Sequence, residues 1–176
     1  MTMEYAEYYT YDNYKNWEGD WELIGGVAYA MAPSPKIKHQ VISAKIANQI
    51  EISNKCENCM VAVELDWKIS EDTVLRPDVV LICDEEGDYI TKAPKIIAEV
   101  ISPETARRDE TIKFQIYEKE KVLYYILVYP DDLKAKIYKL KNDKFDKIGD
   151  YTKEKAILEE CDIKIDFNEV FKKFKK

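Results

Sequence analysis

Arg76-Pro77-Asp78-Val79-Val80-Leu81-Ile82-Cys83 and, downstream, Ile96-Ile97-Ala98-Glu99-Val100-Ile101 are the two runs that decide the fold class of this chain. Each is apolar at successive positions, the pattern of a strand covered on both faces. Each also carries one carboxylate, Asp78 at the head of the first run and Glu99 inside the second. A buried carboxylate without a partner costs several kcal/mol. The chain must therefore supply a salt bridge, strong hydrogen bonds or a metal ion. Two neighbouring carboxylates repel one another, and a cation relieves that repulsion. Hard divalent ions such as Mg²⁺ take oxygen ligands and keep several waters. The reading without an ion pairs Asp78 with Arg76 or Arg108, and Glu99 with Lys113.

Outward from these runs the pattern is mixed. Residues 1–17 are rich in tyrosine, with a short helix predicted over Tyr11 to Trp17 behind Thr10. The tyrosines would cover a core edge or meet a partner. Trp21 to Met31 reads as a hairpin turning at Gly25-Gly26. Ser34-Pro35 opens a helix to about Asn54, with His39, Ile42, Ile46 and Ile50 on one face. Met60 to Ile69 alternates as a strand, with Val61, Val63, Leu65 and Trp67 on one side and Glu64 and Asp66 on the other. Glu64 is the member of that pair that could approach a metal. Val74 to Cys83 follows as a second strand. A helix over Asp109 to Lys121 sets Ile112, Ile116 and Lys119 along one face. Strands at Tyr124 to Tyr129, Ala135 to Leu140 and Ile163 to Ile165 precede a last helix with Phe167, Val170, Phe171 and Phe174. The order implies an α/β (mixed α+β) fold, a central mixed sheet flanked by helices, in a single domain over 1–176.

Bulk properties narrow the function. Of 176 residues, 46% are hydrophobic and 35% charged, a globular composition. No apolar run approaches the roughly 20 residues that span a bilayer. Met1 to Tyr5 lacks a basic leader and an apolar core, so it is not read as a signal peptide, and a cytoplasmic protein is expected. The net charge of −7 argues against tight non-specific binding to nucleic acid. Arg76, Arg107, Arg108 and Lys113 are the basic residues near the candidate site, and Lys172, Lys173, Lys175 and Lys176 form a solvated terminal cluster. Cys56-Glu57-Asn58-Cys59 has the spacing of half a zinc site, but Cys83 and Cys161 stand apart in sequence. Reduced structural thiols are the expectation. His39, the sole histidine, is expected to pack in the helix stripe.

Arg76-Pro77-Asp78-Val79-Val80-Leu81, then Ala98-Glu99-Val100-Ile101-Ser102-Pro103-Glu104-Thr105, then Arg108-Asp109, Lys113 and Tyr117 together resemble the Uma-type family of putative restriction endonucleases. That family belongs to the PD-(D/E)XK nuclease superfamily. The similarity also takes in Trp21-Glu22-Leu23-Ile24, Pro33-Ser34-Pro35…His39 and Val122-Leu123-Tyr124-Tyr125. The resemblance implies a restriction-endonuclease-like core and metal-dependent hydrolysis of DNA. It implies Mg²⁺ or Mn²⁺ held by Asp78 and Glu99, with the Val100 carbonyl as a further ligand. Glu22 resembles an additional site acid. Where the family usually carries another acid, this chain has Gly25, and where the motif lysine belongs it has Ile101. The resemblance suggests that the next helix supplies that lysine, as Lys113. The reading of Lys113 without chemistry is a surface i,i+4 pair with Asp109, worth a few tenths of a kcal/mol.

Three functions follow from these residues. Asp78, Glu99 and Lys113 favour a metal-dependent endonuclease acting on DNA, with a homodimer supplying the two sites that a duplex cut needs. Ile101 and the acidic balance favour an inactive module of the same fold that binds nucleic acid or protein. A third reading makes the tyrosine-rich N-terminus a contact surface for a protein partner.

Overall fold

The computed structural model describes residues 6–32 and 34–176. Residues 1–5 of the tyrosine-rich extension and Pro33 of the Pro33-Ser34-Pro35 motif lie outside the described residues. The strands are β1 (Trp21–Ile24), β2 (Val27–Ala30), β3 (Cys59–Val63), β4 (Trp67–Ser70), β5 (Thr73–Leu75), β6 (Val79–Cys83), β7 (Ile96–Val100), β8 (Tyr124–Tyr129), β9 (Lys134–Lys141), β10 (Lys144–Tyr151), β11 (Lys155–Leu158) and β12 (Ile163–Asp166). The α-helices are α1 (Tyr11–Tyr14), α2 (Ile37–Ser53), α3 (Lys113–Lys119) and α4 (Phe167–Phe171).

A six-stranded sheet in the order β10-β9-β8-β7-β6-β3 forms the centre. β7 and β8 run parallel, and the other neighbours are antiparallel. A parallel pair needs a crossover, and here a π turn over Arg108–Ile112 leads directly into α3 to make it. β2-β1-β5-β4 form a smaller sheet, and β11 pairs with β12. This is the mixed sheet flanked by helices that the sequence implies.

Strand alternation divides the core into two layers. Val79, Leu81, Ile96, Ala98 and Val100 face Ile42, Ile46 and Ile50 of α2, with α4 and the β11–β12 hairpin completing that layer. Val80, Ile82, Ile97 and Ile101 face the other way, toward Trp67 and Tyr117. Asp78 precedes β6 in step with Val80 and Ile82, and Glu99 lies in step with Ile97 and Ile101. Both acids thus belong to the α3 side.

The structure corrects several expectations. Met60 to Ile69 is not one strand. The chain breaks at Glu64, which adopts φ 49°, so β3 stays in the central sheet while β4 enters the small one. Val63 is consequently 53% exposed rather than aligned with buried Trp67. Val74 to Cys83 divides in the same way, because Pro77 has no N–H to continue a ladder. α2 starts at Ile37, and Ser34 does not cap it. The helix after β7 buries Asp109, Lys113 and Tyr117, whereas Ile112 is 37% exposed and Lys119 points outward. β10 and β11 lie where the sequence reading has no strand. α1 ends at Tyr14, whose ring is buried with Leu23 and Val74 against Trp17 and Trp21. In the described residues the tyrosine-rich segment therefore covers a core edge. The cysteines are not reduced thiols. Cys56 is bonded to Cys161 and Cys59 to Cys83, since the fold brings together residues far apart in sequence.

This packing predicts a contrast within α2. Ile46→Ala empties a wholly buried position and lowers stability by about 2–5 kcal/mol. Ile52→Ala, at a position 66% exposed, changes it by no more than about 0.5 kcal/mol. Urea unfolding followed by circular dichroism measures both, and equal losses would show that α2 does not dock through the Ile42–Ile46–Ile50 face.

Candidate active site

The register Val79↔Ala98 sets Asp78 opposite Glu99 at the end of the sheet. The Asp78 backbone N–H points at Glu99 Oε2 (3.4 Å), and Asp78 Oδ2 accepts from the Val100 N–H (2.7 Å). Proline at position 77 ends the preceding ladder and frees this turn to carry the Asp78 carboxylate back over β7. His39, in the first turn of α2, brings Nε2 to 3.3 Å from Asp78 Oδ2. This differs from the expected packing histidine. Burial opposes the charged imidazole, but the hydrogen bond and the negative charge of Asp78 outweigh it, and the His39 pKa is raised.

Glu99 Oε1 accepts from Lys113 Nζ (2.9 Å) and from the Tyr117 hydroxyl (2.8 Å). Lys113 Nζ also lies 2.7 Å from Glu22 Oε1 and 3.4 Å from Asp109 Oδ1. The Asp109–Lys113 pair is thus buried and not the surface pair that spacing alone suggests. Glu22 is not an exposed hairpin carboxylate either: it is 1% exposed. It accepts from the Arg76 N–H (3.0 Å) and from Arg108 Nη1 (3.2 Å), while the Arg108 guanidinium lies 4.7 Å from the Tyr29 ring centre. The Tyr125 hydroxyl donates to the Asp109 carbonyl (2.8 Å) and ties the π turn to β8.

Other residues read from the sequence lie outside this group. Glu64 is exposed and accepts from Gln40 (3.3 Å). Asp66 accepts from Arg76 Nε (2.7 Å) and from the Tyr14 hydroxyl (3.0 Å), and Arg76 also binds Asp20 (2.6 Å). Arg76 therefore does not pair with Asp78. Ile101 packs in the apolar layer with Tyr117, on the Glu99 side of the sheet. His39 and Asp109 are the site neighbours that the sequence reading underrates. The available signal was the i,i+4,i+8 spacing of Asp109, Lys113 and Tyr117, a polar stripe on a helix that must cover a sheet.

The electrostatics of this centre are lopsided. Glu22, Asp78, Glu99 and Asp109 are buried, against buried Lys113 and partly buried Arg108. Burial alone would favour a neutral Lys113 amine, yet Glu22, Glu99 and Asp109 outweigh it and raise its pKa well above the ordinary value. The three carboxylates thus favour the ammonium form of Lys113 in the metal-free protein. Burial raises the Glu99 pKa well above 4.5, and Asp109, Asp78 and Glu22 add to the rise while Lys113 opposes it. Asp109 Oδ1 has no hydrogen-bond partner. This surplus of hard oxygen donors suits a divalent cation at Asp78 and Glu99. No third acid or histidine converges with those two on one ligand point among the described residues. The donor set is thus two carboxylates, and one or two carboxylates are what Mg²⁺ commonly takes from a protein. Glu22 stands across Lys113 from Glu99 and fits a positioning role.

A mixed sheet that presents paired acids and a helix-borne lysine at one end defines a restriction-endonuclease-like protein class. Residues 5–162 match the Uma2 family of putative restriction endonucleases, and the chain belongs to that family. A crystal structure of a putative nuclease of the DUF820 group from Anabaena variabilis superposes with a TM-score of 0.75 at 17% identity, covering 93% of this chain and 97% of that one. That likeness establishes the common fold. No curated protein matches the chain.

Two outcomes follow from the charge balance. Between pH 4.5 and its raised folded value, Glu99 binds more protons in the folded than in the unfolded state. Stability of the metal-free protein therefore falls as pH rises through that window. Lys113→Met removes the cation from three buried carboxylates, lowers stability at pH 7 by about 3–5 kcal/mol and steepens the fall. Denaturation midpoints measured across pH check this; a Lys113→Met profile parallel to wild type would mean that the ammonium does not hold the carboxylates.

Proposed function

We propose that this protein is a metal-dependent nuclease that hydrolyses phosphodiester bonds in DNA. The observation that carries the reading is the opposed Asp78–Glu99 pair, with Lys113 bonded to Glu99 in a centre that has more buried negative charge than positive. Family membership supports a nucleic-acid substrate. Asp78 and Glu99 would hold Mg²⁺ or Mn²⁺, with the Val100 carbonyl as a further ligand. Such an ion would supply charge stabilisation at the phosphate and a more acidic water.

The protein's own groups have distinct tasks in this reading. The Val100 N–H and His39 fix the orientation of Asp78. Lys113 and Tyr117 fix Glu99, leaving Oε2 directed toward Asp78. Lys113 donates a hydrogen bond to Glu99, and its ammonium lies within ion-pair distance of Glu22 and Asp109 in the metal-free state. Because it stays protonated, it serves as an orienting cation and not as a general base. Glu22 holds Lys113 and Arg108 in place. The ammonium thus reaches the centre from α3, while apolar Ile101, just after β7, occupies the usual lysine slot.

The test combines ion binding with cleavage. Mn²⁺ should raise the melting temperature of the wild type, and Asp78→Asn or Glu99→Gln should remove most of that shift, because an ion that binds only the folded state stabilises it by mass action. Nicking of supercoiled DNA should depend on Mg²⁺ or Mn²⁺ and fall at least about 100-fold in Glu99→Gln. It should fall less in His39→Gln, which retains a hydrogen-bonding side chain. Identical melting shifts in wild type and both carboxylate variants, with no nicking by the wild type, would favour the inactive binding module.

A further inference from the structure

Nothing in the nuclease reading uses the cysteines, yet the fold collects all four of them at one place. Cys56 lies in the connection from α2 to β3, Cys59 opens β3, Cys83 closes β6, and Cys161 sits in the turn between β11 and β12. Cys59 and Cys83 are cross-strand neighbours. The Sγ atoms of Cys56, Cys59 and Cys161 all lie within 4.8 Å of one another, and Cys59 and Cys161 are 4.0 Å apart although they belong to different disulfides. Cys83 is bonded to Cys59 and joins the same sulfur cluster.

That spacing matters because two disulfides need no proximity to one another, whereas four ligands of one ion do. With Zn–S near 2.3 Å, the edge of a tetrahedral four-sulfur site is about 3.8 Å. The 4.0 Å contact between the two disulfides is close to that edge. The backbone around the cluster is fixed independently of the sulfurs. The Cys59 N–H donates to the Cys56 carbonyl (3.2 Å) and closes the Cys-x-x-Cys turn. Asn54 Nδ2 donates to the carbonyls of Cys56 (3.3 Å) and Cys59 (2.9 Å), and its Oδ1 accepts from the Cys56 N–H (3.0 Å). The Lys55 N–H donates to the Cys161 carbonyl (2.9 Å). Cys161 itself adopts φ 57°, a left-handed conformation that costs a non-glycine residue energy and that marks constrained sites. All four cysteines are half-buried, so small ions and thiols can reach them.

We propose that the four cysteines form a structural zinc site in the reduced protein, and that the two disulfides are the oxidised, metal-free form of the same cluster. The interconversion balances. Two molecules of a dithiol reductant give four electrons and four protons, the two S–S bonds become four thiols, and Zn²⁺ then displaces four protons as four Zn–S bonds form. In reverse, two molecules of hydrogen peroxide accept four electrons from the thiolates and take up four protons to leave four waters, while two S–S bonds form and zinc departs. Where cellular thiols are kept reduced, the zinc form is the one present. In either form the cluster ties the β11–β12 hairpin to α2 and to the end of β6 remote from Asp78.

The test uses the full-length chain, stripped of metal and reduced under anaerobic conditions, titrated with Co²⁺ and then Zn²⁺. The expected result is the intense absorption of tetrahedral, thiolate-bound Co²⁺, saturating at one ion per chain and displaced by Zn²⁺. Cys83→Ser and Cys161→Ser should each weaken Co²⁺ binding by roughly tenfold or more. Hydrogen peroxide should release zinc to a chromogenic chelator with loss of all four thiols. A reduced chain that stays folded but shows no sulfur-to-cobalt absorption would overturn the proposal. So would a reduced chain that unfolds and is not restored by Zn²⁺, or serine variants that bind as tightly as wild type. Co²⁺ at Asp78 and Glu99 has oxygen ligands and gives no thiolate band, so this result does not depend on the nuclease reading.

Discussion

The buried ammonium of Lys113 joins three parts of the chain. Glu22 comes from the small sheet, Glu99 from the central sheet, and Asp109 from the crossover between β7 and β8. Taking an ammonium and carboxylates out of water costs several kcal/mol per ion, repaid only by close geometry and full hydrogen bonding. Such a cluster specifies an arrangement more than it adds stability. The small sheet must present Glu22, and the crossover must start with a π turn that sets Asp109 and Lys113 on its inner side. The two faces of the central sheet differ as a result. α2 covers one with isoleucines, while α3 covers the other with a charged stripe beside Tyr117.

The bond from Lys113 to Glu99 also constrains chemistry. A lysine just after β7, in the place of Ile101, would approach the centre from the strand. Lys113 approaches from the helix and arrives already bonded to Glu99. Its charge therefore cannot be moved without disturbing a carboxylate. A divalent ion at Asp78 and Glu99 would meet Glu99 through Oε2, while Lys113 and Tyr117 hold Oε1, and it would weaken the negative charge that Glu99 presents to the ammonium. Ion binding and lysine availability would then be coupled through one carboxylate.

The pairing of Asp78 with Glu99 was legible because a carboxylate in an otherwise apolar run violates a strong rule, and two such violations on neighbouring strands reinforce each other. The mixed sheet was legible for the same reason: uninterrupted apolar strands need cover on both faces. The burial of Glu22 was not, since Trp21-Glu22-Leu23-Ile24 has the alternation of an ordinary half-exposed hairpin and its partner Lys113 is remote in sequence. The inner face of α3 was legible only in part, because Ile116 packs on the apolar layer but Ile112 does not, and the buried positions go to Asp109, Lys113 and Tyr117 beside Glu22 and Glu99. Both long strands were read through their breaks. Pro77 was a visible signal, but the left-handed turn at Glu64 left none. The gathering of cysteines was hidden by the 105 residues between Cys56 and Cys161.

The cations that the sequence places near the site are mostly spent within the protein. Arg76 is held by Asp66 and Asp20, Arg108 by Glu22, and Lys113 by three carboxylates. Arg107 is exposed and forms no ion pair among the described residues. Affinity for a polyanion grows with the number of phosphates neutralised, and so does its sensitivity to salt. A chain of net charge −7 with its central cations already paired has few such contacts to offer. Two consequences follow for a DNA substrate. Binding without a divalent ion would be weak, because the phosphate would meet an uncompensated acidic centre. Binding with the ion would draw its electrostatic term from the metal itself, whose charge would offset the excess of carboxylates over cations at the one place where the backbone must come closest.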